Sequence, residues 1–131
     1  MIYLDTSVAL AHLLGEERYP PDSLWDETLV ASRLLEYELW TRLHARKLGN
    51  SHGDGARALV ERLAMLELSR PVLARALEPF PVPVRTLDAV HLASVEFLRA
   101  EGVKVELASY DERLLEAARK MKIPVSAYVA G

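Results

Sequence analysis

The sequence predicts an α/β fold in one domain, residues 1–131, built on a parallel sheet of four to five strands with helices on both faces. Three observations carry this. Short apolar runs alternate with helical apolar patterns along the whole chain. None of the junctions resembles a tight hairpin, so successive strands must be joined by crossovers. At 131 residues, half of them hydrophobic, the chain suits a single domain with a real core.

The first element is the apolar run from Met1, which stops on Asp5. Thr6 and Ser7 then cap a helix, Val8 to Leu14, which Gly15 ends. Glu16 to Asp22 is a polar turn with two prolines, and Ser23 to Glu27 reads as one helical turn. Thr28 to Ala31 is a brief strand, after which Ser32 caps a helix from Arg33 to Leu48 with Leu35, Leu39 and Leu43 on one face. Gly49 and Asn50 end that helix, residues 50–55 read as a loop, and Ala56 to Met65 as the next helix. A strand follows at Leu66 to Ser69, and Pro71 opens a helix through Leu77.

The segment from Glu78 to Val84 holds Pro79, Pro81 and Pro83 and should be extended. Thr86 is expected to cap a largely buried helix, Leu87 to Ala100, closed by Gly102. Val103 to Ala108 is a strand, Ser109-Tyr110-Asp111 its turn, Glu112 to Lys122 a helix and Ile123 to Ala127 a final strand.

The chain lacks cysteine, which excludes disulfides, thiolate zinc sites and cysteine nucleophiles. It fits a reducing cytosol, so a cytoplasmic location is expected. The start has no basic region before its apolar run, and no apolar run approaches the length of a membrane span. The net charge of -3 argues against bulk electrostatic coating of nucleic acid. It leaves room for acids gathered around a divalent cation.

Four carboxylates are the candidates for chemistry. Asp5 ends the first strand and Asp111 sits just past the fourth, so both lie at one edge of a parallel sheet, where open α/β sheets bind ligands. Asp88 stands in the first turn of the buried helix. Glu38 is one turn further into its own helix and leans back toward the same edge. Each has an ordinary explanation by itself. Asp5 and Asp111 suit helix caps, Asp88 suits the positive end of a helix, and Glu38 suits a ladder with Arg42 and Arg46. Glu36, the rival acid in that helix, is expected to face solvent. Four crowded carboxylates demand a cation, and hard oxygen ligands favour Mg²⁺ or Mn²⁺. Such an ion can activate water for attack on phosphorus.

The segments LDTS (4–7), ASRLLEYEL (31–39), TLDAVHLAS (86–94) and ASYDERLLEAA (108–118) together resemble a PIN domain of the VapC toxin type. The resemblance spans nearly the whole chain. It implies a three-layer α/β/α sandwich, a Mg²⁺- or Mn²⁺-dependent endoribonuclease leaving a 3′-hydroxyl and a 5′-phosphate, a VapB-like antitoxin partner and a homodimer. Its acids correspond to Asp5, Glu38, Asp88 and Asp111, with Asp5 and Asp88 the chief metal ligands. Its two supporting hydroxyls correspond to Ser7 and Ser109, the latter where threonine is commoner.

Other residues fit less well. His91 shares a helix face with Asp88 and reads first as a hydrogen-bonded core histidine; His12, His44 and His52 have no zinc spacing. Arg42, His44, Arg46 and Lys47 can steer a phosphate backbone or simply offset a helix C-terminus. Tyr37 and Trp40 can stack on bases, pack, or meet another subunit. Two rival functions remain: a non-catalytic binding module of the same fold, and a phosphotransfer enzyme using Asp5 as nucleophile. The first would be favoured by a missing acid, and the second expects an acid where Ser7 stands.

Overall fold

A computed structural model describes residues 1–129 of the chain. Four parallel strands form one sheet: β1 (Ile2–Leu4), β2 (Leu29–Ser32), β3 (Ala64–Leu66) and β4 (Glu106–Ala108), in the order β3-β2-β1-β4. The predicted last strand is reduced to a single parallel bridge, Val125 to Leu107, beside β4. The helices are α1 (Thr6–Leu14), α2 (Arg33–Ala45), α3 (Gly49–Glu61), α4 (Arg70–Ala76), α5 (Thr86–Ala100) and α6 (Glu112–Lys120), with a 3₁₀ turn at Asp22–Asp26.

Strand alternation divides the core in two. Ile2, Leu4, Leu29, Ala31 and Ala108 point to one face, where Val8, Leu35, Leu39, Leu43 and Leu59 of α1, α2 and α3 cover them. Tyr3, Val30 and Leu107 point to the other, against Leu92 and Val95 of α5 and Leu114 and Leu115 of α6. These two layers on one sheet make a three-layer α/β/α sandwich. The sheet order places β1 between β2 and β4, so the connection out of β1 runs to one side of it while the one from β3 to β4 crosses back to the other. The carboxyl end of β1 is therefore the crevice where such folds hold ligands.

Several boundaries differ from expectation. Helix α1 begins two residues early because Asp5 is the cap, its side chain accepting from the Ser7 amide. Gly15 closes α1 at φ 59°, as a left-handed terminus requires. Helix α2 stops at Ala45, and Lys47 takes a left-handed φ of 58° to turn the chain into α3.

The expected loop over 50–55 is helical, the start of α3. The sequence GNSHGDG reads as loop because glycine lowers helix propensity. Here the missing side chains are needed for packing. A Cβ at Gly53 would lie 3.1 Å from the Trp40 ring, and one at Gly55 would lie 3.0 Å from Leu13. Close approach of α3 to α1 and α2 thus offsets the propensity cost. Arg85, not Thr86, is the cap position of α5, and its own side chain makes no capping hydrogen bond. The last helix ends at Lys120, and Lys122 adopts φ 59°.

In an open helix Gly→Ala gains roughly 1 kcal/mol. At Gly53 the Trp40 ring should cancel that gain, and Trp40→Leu should restore it. Urea unfolding of Gly53→Ala alone and with Trp40→Leu checks this. A full gain in the single variant would show that the contact does not constrain α3.

Candidate active site

The sheet edge expected to be functional carries a cleft of about 390 Å³. Asp5, Glu38, Asp88 and Asp111 all line it, with Ser7, His91 and Tyr110, and Arg18, Arg42 and Arg46 at its sides. The geometry follows from local structure. Asp5 is the first residue beyond β1, and its amide donates to Ala108 O at 2.9 Å, which ties it to the end of β4. Asp111 caps α6, its Oδ1 accepting from the amides of Arg113 at 3.0 Å and Leu114 at 3.4 Å. Asp88 is the third residue of α5, and Glu38 is the sixth of α2.

The Asp5 carboxylate is only 6% exposed and is held from two sides. Ser7 Oγ donates to its Oδ2 at 2.6 Å, and Ser109 Oγ donates to the same oxygen at 2.8 Å. Each serine oxygen in turn accepts an amide: Tyr110 N to Ser7 at 2.9 Å and Asp111 N to Ser109 at 2.9 Å. Ser109 is buried, and its hydroxyl is fully used. Asp5 Oδ1 faces the other way, 3.7 Å from His91 Nε2.

Glu38 is engaged differently. Its Oε1 accepts from Thr6 Oγ1 at 2.7 Å and from His91 Nε2 at 2.7 Å. His91 Nδ1 lies 2.7 Å from the Tyr3 hydroxyl in the core. His91 is a buried, hydrogen-bonded histidine, as its place on α5 suggested, and it also belongs to the cleft. Its link to Glu38 was not legible from spacing, since the two are 53 residues apart; the shared face with Asp88 was the one available signal. Thr6, expected as a cap, is instead a Glu38 partner. Glu36 faces out and pairs with Arg33 at 3.2 Å.

The charges respond to this crowding. Burial, then Asp111 and Asp5, push the Asp88 carboxyl above its usual range, against the Arg85 amide and His91, which act the other way. Asp88 Oδ2 is buried without a hydrogen-bond partner. Burial alone would raise Glu38, but the His91 hydrogen bond, Thr6 and Arg42 outweigh it and leave Glu38 below its usual range. Burial likewise holds the Tyr3 phenol well above its ordinary value, so it stays a neutral hydroxyl.

These features fit a divalent ion. An unsatisfied carboxylate oxygen on Asp88, mutual repulsion with Asp5 and Asp111, and an all-oxygen donor set are what Mg²⁺ or Mn²⁺ accepts. Among the described residues no three such groups already stand close enough to cage an ion. Mg²⁺ commonly takes only one or two carboxylates and completes its shell with water and phosphate oxygens.

Burial pulls His91 down, but the Glu38 hydrogen bond and the charges of Asp5, Glu38 and Asp88 together raise it above its ordinary value. In the metal-free protein a raised folded value means that protonated His91 adds stability at pH below its unfolded value. That contribution is lost as pH rises through the folded value. Thermal unfolding in EDTA from roughly pH 5 to 9 should therefore show wild type losing its advantage over His91→Gln as pH increases. A pH-independent gap would contradict the assignment.

The PIN domain family model matches residues 2–120. A Mycobacterium tuberculosis protein, Ribonuclease VapC47, is 32% identical over 128 residues, covering 92% of this chain and 92% of the relative. Among solved structures, M. tuberculosis VapC20, a Sarcin-Ricin loop cleaving toxin, superposes with a TM-score of 0.69 at 20% identity, over 89% of this chain and 95% of that one. A toxin-antitoxin complex from Klebsiella pneumoniae gives 0.65 at 14% identity, over 99% and 100%. The two structures share the fold, and the family match and the sequence relative extend it to lineage: the chain belongs to the PIN domain family, in its VapC-type branch.

Proposed function

We propose that the chain is a metal-dependent endoribonuclease, the toxin of a toxin-antitoxin pair, and that the acid cleft cuts RNA. The observation that carries this is Asp88: a carboxylate with an unpartnered buried oxygen, raised by burial and by two neighbouring acids in one cleft. Relatives named as ribonucleases and toxins support the class of reaction.

Asp5 and Asp88 would hold a Mg²⁺ or Mn²⁺ ion, with Asp111 and Glu38 completing the cluster directly or through water. When bound, the ion supplies an activated water and offsets charge on the phosphate. The chain's own residues do the rest. Ser7 and Ser109 hold Asp5 by one oxygen and leave the other turned to the cleft. Thr6 and His91 hold Glu38. Arg18, Arg42 and Arg46 border the acids and can meet phosphates on either side of the cut. A carboxylate of the cluster takes the proton from the attacking water, and the products carry a 3′-hydroxyl and a 5′-phosphate.

A VapB-like antitoxin would silence the site by covering the cleft with a basic side chain among the acids; the relative solved as a toxin-antitoxin complex supports such a partner. Exposed Leu73 on α4, Leu77 just past its end and Leu87 at the start of α5 support a homodimer. A cytoplasmic site of action suits the lack of cysteine, and no helix among the described residues is long and apolar enough to cross a membrane.

Asp5→Asn and Asp88→Asn should each lower RNA cleavage by about 100-fold or more, with folding kept. Persistent cleavage with both neutralised would overturn the mechanism. Mn²⁺ added to EDTA-treated protein should raise its melting temperature by several degrees, and this shift should vanish in Asp88→Asn. Ionised Asp88 is destabilising at neutral pH because its folded value is raised. Metal-free Asp88→Asn should therefore melt at or above wild type, and a marked drop would count against the crowding.

A further inference from the structure

On the far side of α2 from the cleft lies a second pocket of about 400 Å³, lined by Trp40, His44, Lys47, Gly49, Asn50 and Arg57. No acid lines it. We infer that this pocket is a second RNA subsite, where one base of the single strand stacks on Trp40 and His44 while Lys47 and Arg57 meet its phosphates. The inference rests on the ribonuclease reading of the acid cleft.

The pocket combines aromatic and cationic side chains. Trp40 is half-buried and fixed by packing, with the His44 ring 5.5 Å away at 32° and the Arg57 guanidinium 5.0 Å from its centroid. Two glycines of α3 let the helix run this close. A Cβ at Gly49 would lie 3.2 Å from the His44 ring, and one at Gly53 would lie 3.1 Å from Trp40. Lys47, the left-handed residue that ends α2 at φ 58°, also lines the pocket. Arg57 has a carboxylate partner, Asp54 at 3.0 Å, but that pair is open to solvent and easily exchanged for phosphate.

Helix α2 joins the pocket to the acid cleft. Arg42 and Arg46 lie on the cleft side, His44 and Lys47 on the pocket side, and all four are exposed. A strand leaving the acids over the C-terminal end of α2 would meet Arg42, Arg46, Lys47 and Arg57 along its path. Stacking on an aromatic ring is tolerant of base identity, so this subsite adds affinity and RNA length dependence, not sequence readout.

The test compares 5′-labelled single-stranded RNAs of about four and about sixteen nucleotides, by fluorescence anisotropy in EDTA and by steady-state cleavage with metal. Lys47→Gly suits the left-handed backbone and removes only the cation; Trp40→Leu keeps the apolar packing and removes the ring. Each should weaken binding of the longer RNA roughly tenfold and raise its KM. The kcat, and the KM for the short RNA, should stay as in wild type. Lys47→Gly should also reduce the salt slope of binding by about 0.7. Longer RNA should quench indole fluorescence in wild type and not in Trp40→Leu.

Unchanged affinity for the longer RNA in both variants overturns the proposal, as does equal weakening toward both lengths. A lower solution mass for Trp40→Leu also overturns it, by assigning the surface to contact between copies. Wild-type protein that binds the longer RNA through Trp40 but cuts nothing would defeat the ribonuclease reading and leave the subsite standing.

Discussion

The cleft depends on how Asp5 is held. One carboxylate oxygen accepts two serine hydroxyls, and each serine oxygen accepts a backbone amide from the β4–α6 turn. Charge-assisted hydrogen bonds of this kind are short and directional. They leave Oδ2 satisfied and Oδ1 turned toward His91 and the cleft. They also bind the first strand's exit to the fourth strand's exit, 104 residues apart, so the site and the sheet edge are one construction. Replacing either serine by alanine would leave a backbone amide without its acceptor as well as a buried carboxylate without a donor.

Glu38 reaches the same cleft from the opposite direction and needs a different anchor. The Tyr3 hydroxyl on β1 meets His91 on α5, and His91 meets Glu38 on α2. This chain runs from a fully buried phenol on one face of the sheet to a partly buried carboxylate at its edge. Two directions of pKa shift describe the one contact: His91 is raised by Glu38, and Glu38 is lowered by His91. The link ties α5 to α2 where they border the cleft.

Much of this was legible in the sequence, and the limits have physical causes. An apolar run ending on an acid and followed by hydroxyls can be read locally, because strand, cap and helix start are all short-range. Asp5 and Asp111 could be assigned to one edge because a parallel sheet puts every strand's carboxyl end there, and Glu38 because helical side chains lean back toward the N-terminus; for Asp88 the signal was its place in the first turn of a buried helix. The helical start of α3 was hidden, since glycine's propensity is local while its packing against Trp40 and Leu13 is tertiary. The final strand was overestimated because Ile123 and Val125 have strand character yet find only one bridge at the sheet edge. Thr6, His91 and Tyr3 act across the sheet, through partners that spacing along the chain does not reveal.

Three of the four acids share one source of support, which explains why the fourth is anchored by a histidine. Asp5 accepts an amide at the start of α1, Asp111 accepts two at the start of α6, and Asp88 draws on the Arg85 amide at the start of α5. Each is a helix N-terminus, where unpaired amides and the helix dipole favour negative charge. That support is short-ranged and fades within a turn. Glu38, six residues into α2, lies beyond it, and its partners are His91, Thr6 and Arg42 instead. Helix ends can steady three separate carboxylates, but they do not remove the repulsion among them, and Asp88 stays raised with one oxygen unmatched. The fold thus brings the acids together and stops short of neutralising them. That residual negative charge is the feature on which the proposal of a divalent cation rests.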